Sequence, residues 1–213
     1  SGEVIEIKRG EKRRILEVKI KSDKKISYKT HKTLSLKSAQ ADAIKALLLD
    51  SGCWPFIKQR PYDVIAKPEL QPKAIFISAH ATAPLAVDYN FTLRGKEVEL
   101  QAAVTALSKL MGGPVHVGVS KASDSPFENL QDINIHKLSG PHPSGNVGTL
   151  INKIDPINKG ETVWTIAPQD LVIIGELLLT GKYNAERTVA LVGSQIEAPR
   201  YLKTRIGSEV ATL

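Results

Sequence analysis

The sequence predicts an α/β protein built around a mostly parallel β-sheet. Two short apolar runs, AIFIS at Ala74 to Ser78 and PVHVGVS at Pro114 to Ser120, have the length and composition of buried central strands. Between them, an apolar stripe with helical spacing ends at Gly112, a residue suited to a helix C-terminus. A strand, a helix and a second strand in this order predict a right-handed crossover and a parallel strand pair.

Residues 1–37 are predicted to form a basic β-hairpin followed by a polar linker. Two runs of alternating polarity between Val4 and Ile20 flank a turn at Arg9 to Lys12. An isolated two-stranded hairpin is only marginally stable in water, so we expect this one to belong to a larger sheet of a longer protein. The apolar residues expected to face one another across the hairpin are Ile5, Ile7, Leu16, Val18 and Ile20.

The whole positive charge excess lies in this N-terminal segment. Residues 1–37 contain twelve Lys and Arg against five Asp and Glu, which leaves seventeen of each sign in the other 176 residues. A basic patch can bind nucleic acid or an anionic membrane surface. Within the hairpin the charges alternate with apolar residues and no aromatic residue is interleaved for base stacking, which favours a solvated hairpin face over nucleic-acid binding.

A helix is predicted next, capped by Ser38 and ended by Gly52. It places Ile44, Leu47 and Leu48 on one face. Cys53 follows in a short apolar turn and is interpreted as a buried core residue, because no histidine lies near it in the sequence. As the single cysteine, it excludes an internal disulfide and favours a reducing compartment.

The loop after the AIFIS strand, AHATAPLAVDY, contains no glycine. A phosphate-binding turn after the first strand of a Rossmann-type sheet requires glycines, because the backbone must approach the phosphate closely. The usual mode of nucleotide binding is therefore excluded at this loop. His80 and Asp88 lie in it and are candidates to line a cleft, although a single loop histidine is more often simply solvated.

The segment LSGPHPSGNVGTLINKIDPI, Leu138 to Ile157, is rich in turn residues and follows a predicted strand at Ile133 to Leu138. We expect a rigid turn and then a short helix capped by Ser144, with the amides of Gly145, Asn146 and Val147 pointing outward. The alternative is an ordinary strand-to-helix connection. The spacing of its glycines matches no nucleotide-binding fingerprint.

The remaining predicted elements complete the sheet domain and begin a β-rich segment. The helix after Gly95 is predicted over Lys96 to Met111 with Val98 on its apolar stripe, and a further strand over Thr162 to Ile166. A last helix begins at Pro168 and ends at Gly181. Short strands are then expected at Thr188 to Val192, Gln195 to Ile196 and Tyr201 to Ile206.

Four blocks of this sequence resemble one family over nearly the whole chain. They are SGEVIEIKRGEKRRILEVKI, SGCWPFIKQRPY, LSGPHPSGNVGTLINKIDP and ALVGSQIEAPRYLKTRIGS. The chain is similar to an internal fragment of the NqrA family, which provides the A subunit of the bacterial sodium-translocating NADH:quinone oxidoreductase. This resemblance implies three parts: residues 1–37 from a lipoyl-like β-sandwich, residues 38–183 as a Rossmann-like α/β domain, and residues 184–213 as the first strands of a β-grasp domain.

The resemblance also implies a role in an enzyme complex. The complex is a translocase that passes electrons from NADH to quinone and exports sodium ions. Its flavins and iron–sulfur centre are expected in other subunits, with no cofactor, metal or catalytic residue in this fragment. The fragment is then a non-catalytic part of a peripheral subunit on the cytoplasmic side of the inner membrane, which docks on a quinone-associated membrane subunit.

An alternative function is a quinone- or flavin-binding oxidoreductase domain with its own cleft. The loop at His80 to Asp88 and the turn at Pro141 to Gly145 both follow strands, so they are expected at one edge of the sheet. Asp155 and His142 are candidates for a proton relay in such a cleft. The candidate quinone- or partner-binding residues are therefore His80, Asp88, Pro141, His142, Pro143, Gly145 and Asp155.

Overall fold

A computed structural model describes residues 2–23 and 25–212. Three residues of the predicted terminal segments and linker lie outside the described residues: Ser1, Lys24 and Leu213. The chain falls into two compact units, one ending at Thr30 and the other extending from His31 onward. None of the described helices has both the length and the apolarity that crossing a bilayer requires.

The first unit contains the predicted hairpin. Strands β1 (Gly2–Arg9) and β2 (Ile15–Ser22) pair antiparallel. Ile7 lies opposite Val18 and Val4 lies opposite Ile20, with a register shift between Val4 and Glu6. Both faces of the hairpin are exposed.

The second unit is organised by a six-stranded sheet. Its strands are β3 (Lys58–Arg60), β4 (Val64–Ile65), β5 (Ile75–Ser78), β6 (Val115–Ser120), β7 (Asn134–Leu138) and β8 (Val163–Thr165). They lie in the order β4-β3-β8-β5-β6-β7. Strands β5, β6, β7 and β8 run parallel, and β3 pairs antiparallel with β8 and with β4. The predicted α/β class and mostly parallel sheet are therefore confirmed.

Helices cover both faces of this sheet. The longer helices pack on one face, where Ile75, Ile77 and the odd-numbered valines of β6 form the main core with helix residues. The opposite face packs against a single shorter helix through Phe76, Leu150, Ile151 and their neighbours. The helices are α1 (Ala41–Ser51), α2 (Tyr89–Thr92), α3 (Glu97–Met111), α4 (Val147–Ile154), which is the shorter covering helix, and α5 (Pro168–Thr180).

Glycines end three of the helices as the sequence predicted. Gly52, Gly112 and Gly181 follow α1, α3 and α5 with φ angles of 80°, 69° and 73°, in the left-handed region.

The predicted N-caps of α1 and α4 were wrong. Gln40 precedes α1 and Asn146 precedes α4, whereas the Ser38 and Ser144 hydroxyls donate to carbonyls of their own preceding turns, those of Ser35 and Gly140.

Two further expectations about individual elements were wrong. Val98 was predicted on the apolar stripe of α3 but is 68% exposed, because it lies in the first turn, on the outer side of the helix. Gln195 and Ile196 form no strand: after α5 the chain makes one hairpin of β9 (Glu186–Leu191) and β10 (Arg200–Arg205), and these two residues lie in its connection.

Candidate functional site

A cleft of about 760 Å³ opens at the carboxyl ends of β5 and β8. The chain passes from β5 to β6 and β7 on one side, then returns to β8 on the other side of β5, so the strand order reverses beside β5. In open α/β sheets the ligand-binding crevice lies at this point of reversal. The cleft is therefore the candidate functional site of the second unit.

The two loops that the sequence analysis singled out meet at this cleft. The Thr82 hydroxyl lies 3.2 Å from Nδ1 of His142, and it accepts a 3.0 Å hydrogen bond from the Gly145 amide. Ser78, at the end of β5, donates to the Gly145 carbonyl at 2.6 Å. These bonds join the loop after β5 to the turn before α4, so the two segments form one edge of the cleft.

Gly145 is required by the close approach of these two segments. A Cβ atom at this position would lie 1.9 Å from the His80 carbonyl oxygen. The amide of Gly145 is bonded to Thr82 and that of Asn146 to the Pro143 carbonyl. The expectation that these two amides point outward is therefore corrected, because the turn uses them internally.

The other candidate residues near these loops occupy different positions. His80, Pro143 and Gly145 line the cleft, whereas Pro141 and His142 are exposed residues of the adjoining turn. Asp88 accepts a 2.8 Å hydrogen bond from the Asn90 amide as the N-cap of α2. Asp88 and His80 also line a smaller neighbouring cavity of about 290 Å³.

Asp155 lies at the opposite end of α4 from the cleft. Its carboxylate is 2.8 Å from the Lys73 ammonium group, which also contacts Glu161 at 2.6 Å. Lys73 precedes β5, so this cluster is at the amino edge of the sheet. The structure does not bring Asp155 to His142, and a proton relay between the two is not supported.

The imidazole ring of His80, which lines the cleft, is not fully hydrogen-bonded by the described residues. His80 Nε2 is buried and makes no hydrogen bond within the described part of the chain. A buried polar atom left without a hydrogen bond costs free energy, so such atoms mark places where a ligand or water molecule completes the site.

The cationic side of the cleft was not among the features predicted from the sequence. Lys58 and Arg60 alternate along β3, and Lys58 lies opposite Thr165 of β8 while Arg60 lies opposite Val163. Val163 packs in the cluster under α4, so both cations project from the sheet face that α4 covers. The sequence Lys58-Gln59-Arg60 does not by itself predict that the two cations lie on this face, because the face depends on the antiparallel pairing of β3 with β8.

Asp170 and Arg187 form an ion pair beside the cleft. Asp170 lies in the first turn of α5 and is 9% exposed, and an Arg187 guanidinium nitrogen donates to its carboxylate. Burial raises the pKa of Asp170 despite the opposing effects of Arg187 and of Lys58. The carboxylate therefore holds a proton more readily than an exposed aspartate does.

Cys53 lies in the core, as predicted. The side chain is fully buried, and this burial raises the pKa of the thiol to about 11. The thiolate is the reactive form of cysteine, so Cys53 is a poor nucleophile. Within residues 2–23 and 25–212, no cluster of three or more His, Cys, Asp or Glu residues has a geometry suited to a metal ion.

Comparisons with known proteins bear on the second unit and on the chain as a whole. Residues 39–183 match the family model described as the NqrA second alpha/beta domain. The chain is 35% identical, over 215 residues and 100% of its length, to the A subunit of the Na(+)-translocating NADH-quinone reductase of Neisseria meningitidis serogroup B. Subunits of the same name from Alcanivorax borkumensis and Haemophilus influenzae are 36% and 34% identical over 99% and 100% of the chain. In each case the match covers 48% of the relative, so the chain spans about half the length of these curated relatives.

Proposed function

The chain belongs to the NqrA family, and on this premise we propose that the protein containing it is the A subunit of a sodium-translocating NADH-quinone reductase. The observation that carries this proposal is the 34–36% identity to subunits of that name along 99–100% of the chain. The similarity thus extends beyond the sheet domain to the hairpins at both ends. The reductase activity, its substrates and its partners belong to the complete protein and are part of the proposal.

Within such a complex, we propose a docking role for this part of NqrA, at the cytoplasmic face and near the quinone-reducing end. NADH and quinone are the substrates of the complex, and flavins and an iron–sulfur centre are assigned to other subunits. The loop after β5 supports the absence of a flavin there, because it has no glycine and its backbone is packed against Gly145.

Co-purification tests this role. The complete NqrA chain, carrying an affinity tag, is co-expressed with the other reductase subunits, and the detergent-solubilised complex is analysed by size-exclusion chromatography. We expect co-elution with the membrane subunits and NADH-dependent quinone reduction. Elution of complete NqrA by itself, from membranes that contain the other subunits, contradicts the docking role. Digestion by protease in inverted but not in right-side-out vesicles tests the cytoplasmic position.

A second candidate function is quinone binding in the cleft. The observation that favours it is the contact between the His80 loop and the His142 turn, which together form one edge of the cleft. The two histidines are the titratable groups of that edge that suit proton transfer to a quinone.

Tryptophan fluorescence tests quinone binding directly. Trp164 is adjacent in sequence to Thr165, which lines the cleft, and its ring packs edge-to-face on Trp54 with centroids 5.6 Å apart. We expect saturable quenching by a short-chain quinone, weakened in His80→Gln. A linear, non-saturating change in the intact chain removes this candidate and leaves the docking role untouched.

A further inference from the structure

The side of the cleft next to α4 carries several positive groups and few negative ones. Lys58 and Arg60 project from β3 on the face that α4 covers. Two carboxylates face these cations. The exposed Asp63 places Oδ1 3.5 Å from Nη1 of Arg60, and Asp170, which lines the cleft and is paired with Arg187, interacts electrostatically with Lys58. Asp63 is exposed and Asp170 is shared with Arg187, so each cation is only partly compensated and a further anion beside them is favourable.

The amino end of α4 adds to this positive region. Gly148 lies close to Arg60, since a Cβ atom on this glycine would be 3.7 Å from Nη2. The amides of Val147 and Gly148 make no hydrogen bond within the described residues, and Asn146 provides no side-chain cap. The first amides of a helix carry partial positive charge and are free to donate to an anion.

An independent observation places a donor in the same region. Thr165 is only 6% exposed and lines the cleft, and its hydroxyl has no side-chain hydrogen bond among the described residues. Thr165 lies on the sheet face that α4 covers. It pairs with Phe76 and lies two residues from Val163 on the same strand, and Phe76 and Val163 both pack under α4. Because Thr165 lines the cleft, its hydroxyl can bond a ligand there.

We propose that Lys58, Arg60, Thr165 and the first amides of α4 form a binding site for a phosphate-type oxyanion. An arginine fork, a lysine, a hydroxyl and free backbone amides are the donors that recognise phosphate in proteins. The cavity is larger than one phosphate, so the site takes either the free oxyanion or the phosphate group of a larger ligand. This site lies on the side of the cleft next to α4, the loop after β5 forms another edge of the same cleft, and the proposal does not depend on the reductase role.

Isothermal titration of the 213-residue chain with inorganic phosphate, pyrophosphate and adenosine monophosphate tests the proposal. We expect saturable binding of at least one of them. Arg60→Gln should weaken it by about tenfold or more, since charge-assisted hydrogen bonds are lost. Thr165→Val, which is close to isosteric, should weaken it by about threefold or more. Circular dichroism and urea unfolding identify any variant that fails to fold, and the conclusion then rests on the others.

Lys153→Gln is the matched control, because it removes one positive charge from an exposed position near the carboxyl end of the same helix. It should leave the affinity unchanged. Tighter binding of adenosine monophosphate than of phosphate assigns a larger ligand, and equal binding assigns the free oxyanion. The proposal is overturned by the absence of saturable binding for all three probes, or by equal losses in Arg60→Gln and Lys153→Gln.

Discussion

At the scale of single residues, the chemistry of the cleft depends on contacts between positions far apart in the sequence. Arg187 reaches Asp170 across seventeen residues, and Lys58 lies opposite Thr165, more than a hundred residues away. His80, Pro143 and Gly145 could be named from the sequence because turn residues and loops have local signatures. Lys58, Arg60 and Thr165 could not, since their meeting depends on which strand pairs with β8.

Substitution of Arg187 tests how strongly the buried carboxylate of Asp170 depends on its partner. We expect Arg187→Gln to lower the free energy of unfolding by about 2 kcal/mol at neutral pH, less than for a fully buried pair because Arg187 is partly exposed. Burial already raises the pKa of Asp170, and loss of Arg187 raises it further. The folded variant therefore takes up a proton as the pH falls, and the difference from wild type should shrink towards about pH 4 to 5.

Urea unfolding at several pH values measures this difference. Lys203→Gln is the control, because its ion pair with Glu186 on the same hairpin is 3.7 Å long and largely exposed. Such a pair contributes little, so the control should change stability by less than about 1 kcal/mol. A loss for Arg187→Gln that stays constant from neutral to acid pH would show that Asp170 is not the group responsible.

Two glycines near the cleft are predicted to respond to alanine in opposite directions. Gly145→Ala places a methyl group against the His80 carbonyl and should destabilise the chain by about 2–4 kcal/mol. Gly148 lies within α4, where a Cβ atom has ordinary contact distances, so Gly148→Ala should stabilise the chain by about 0.5–1 kcal/mol. Urea unfolding of both variants distinguishes them, and a stable Gly145→Ala would mean that the contact with the His80 loop is absent in solution.

At the scale of secondary-structure elements, local chemistry predicted where helices end better than where they begin. The three glycine stops after α1, α3 and α5 were placed correctly, because only glycine adopts the left-handed conformation without a steric cost. The serine caps were placed wrongly, since Ser38 and Ser144 bond to their own preceding turns. Strands β3 and β4 were not predicted at all, because they have three and two residues and no apolar alternation.

A histidine pair connects β6 with the edge strand β7 and is expected to make stability depend on pH. His116 Nδ1 lies 3.0 Å from His136 Nε2, and the His116 ring stacks on Phe76. Burial lowers both pKa values, and the neighbouring His136 lowers that of His116 further, against a weaker opposite effect of Asp155. The folded state then binds protons less readily than the unfolded state, in which histidine titrates near 6.5.

Stability should therefore fall as the pH is lowered from about 7.5 to about 5.5, and His136→Gln should make this dependence smaller. Urea unfolding across this range measures the slope. Asn134→Gln is the control, because it alters an exposed residue on the same face of β7 without adding or removing a titratable group. An equal flattening of the slope in both variants would assign the effect to disturbance of the edge strand rather than to the histidines.

At the scale of the whole molecule, the α/β class and the family could be predicted from the sequence, and both are confirmed. Alternating strands and helices determine the class, and the matching blocks extend along the chain. The boundaries proposed at residues 37 and 183, and the assignment of the terminal hairpins to a lipoyl-like sandwich and a β-grasp domain, stay predictions. The relatives that the chain matches are about twice its length, and neither the boundaries nor these assignments are tested by the match.

Removal of the first hairpin tests whether the second unit folds by itself. The core of that unit is formed by residues from Leu34 onward, and the His31 amide donates to the Gly181 carbonyl at 2.7 Å. The apolar side chains of β1 and β2 are exposed, from 45% for Val18 to 60% for Ile20. An isolated two-stranded hairpin of this kind adds little to global stability. We therefore expect a chain without residues 1–23 to keep the urea midpoint of the complete chain and the same response to phosphate.

Hydrogen exchange in the complete chain should be fast for the amides of β1 and β2 and slow for those of β5 and β6. A lower midpoint after removal, or slow exchange in the hairpin, would show that the two units stabilise one another.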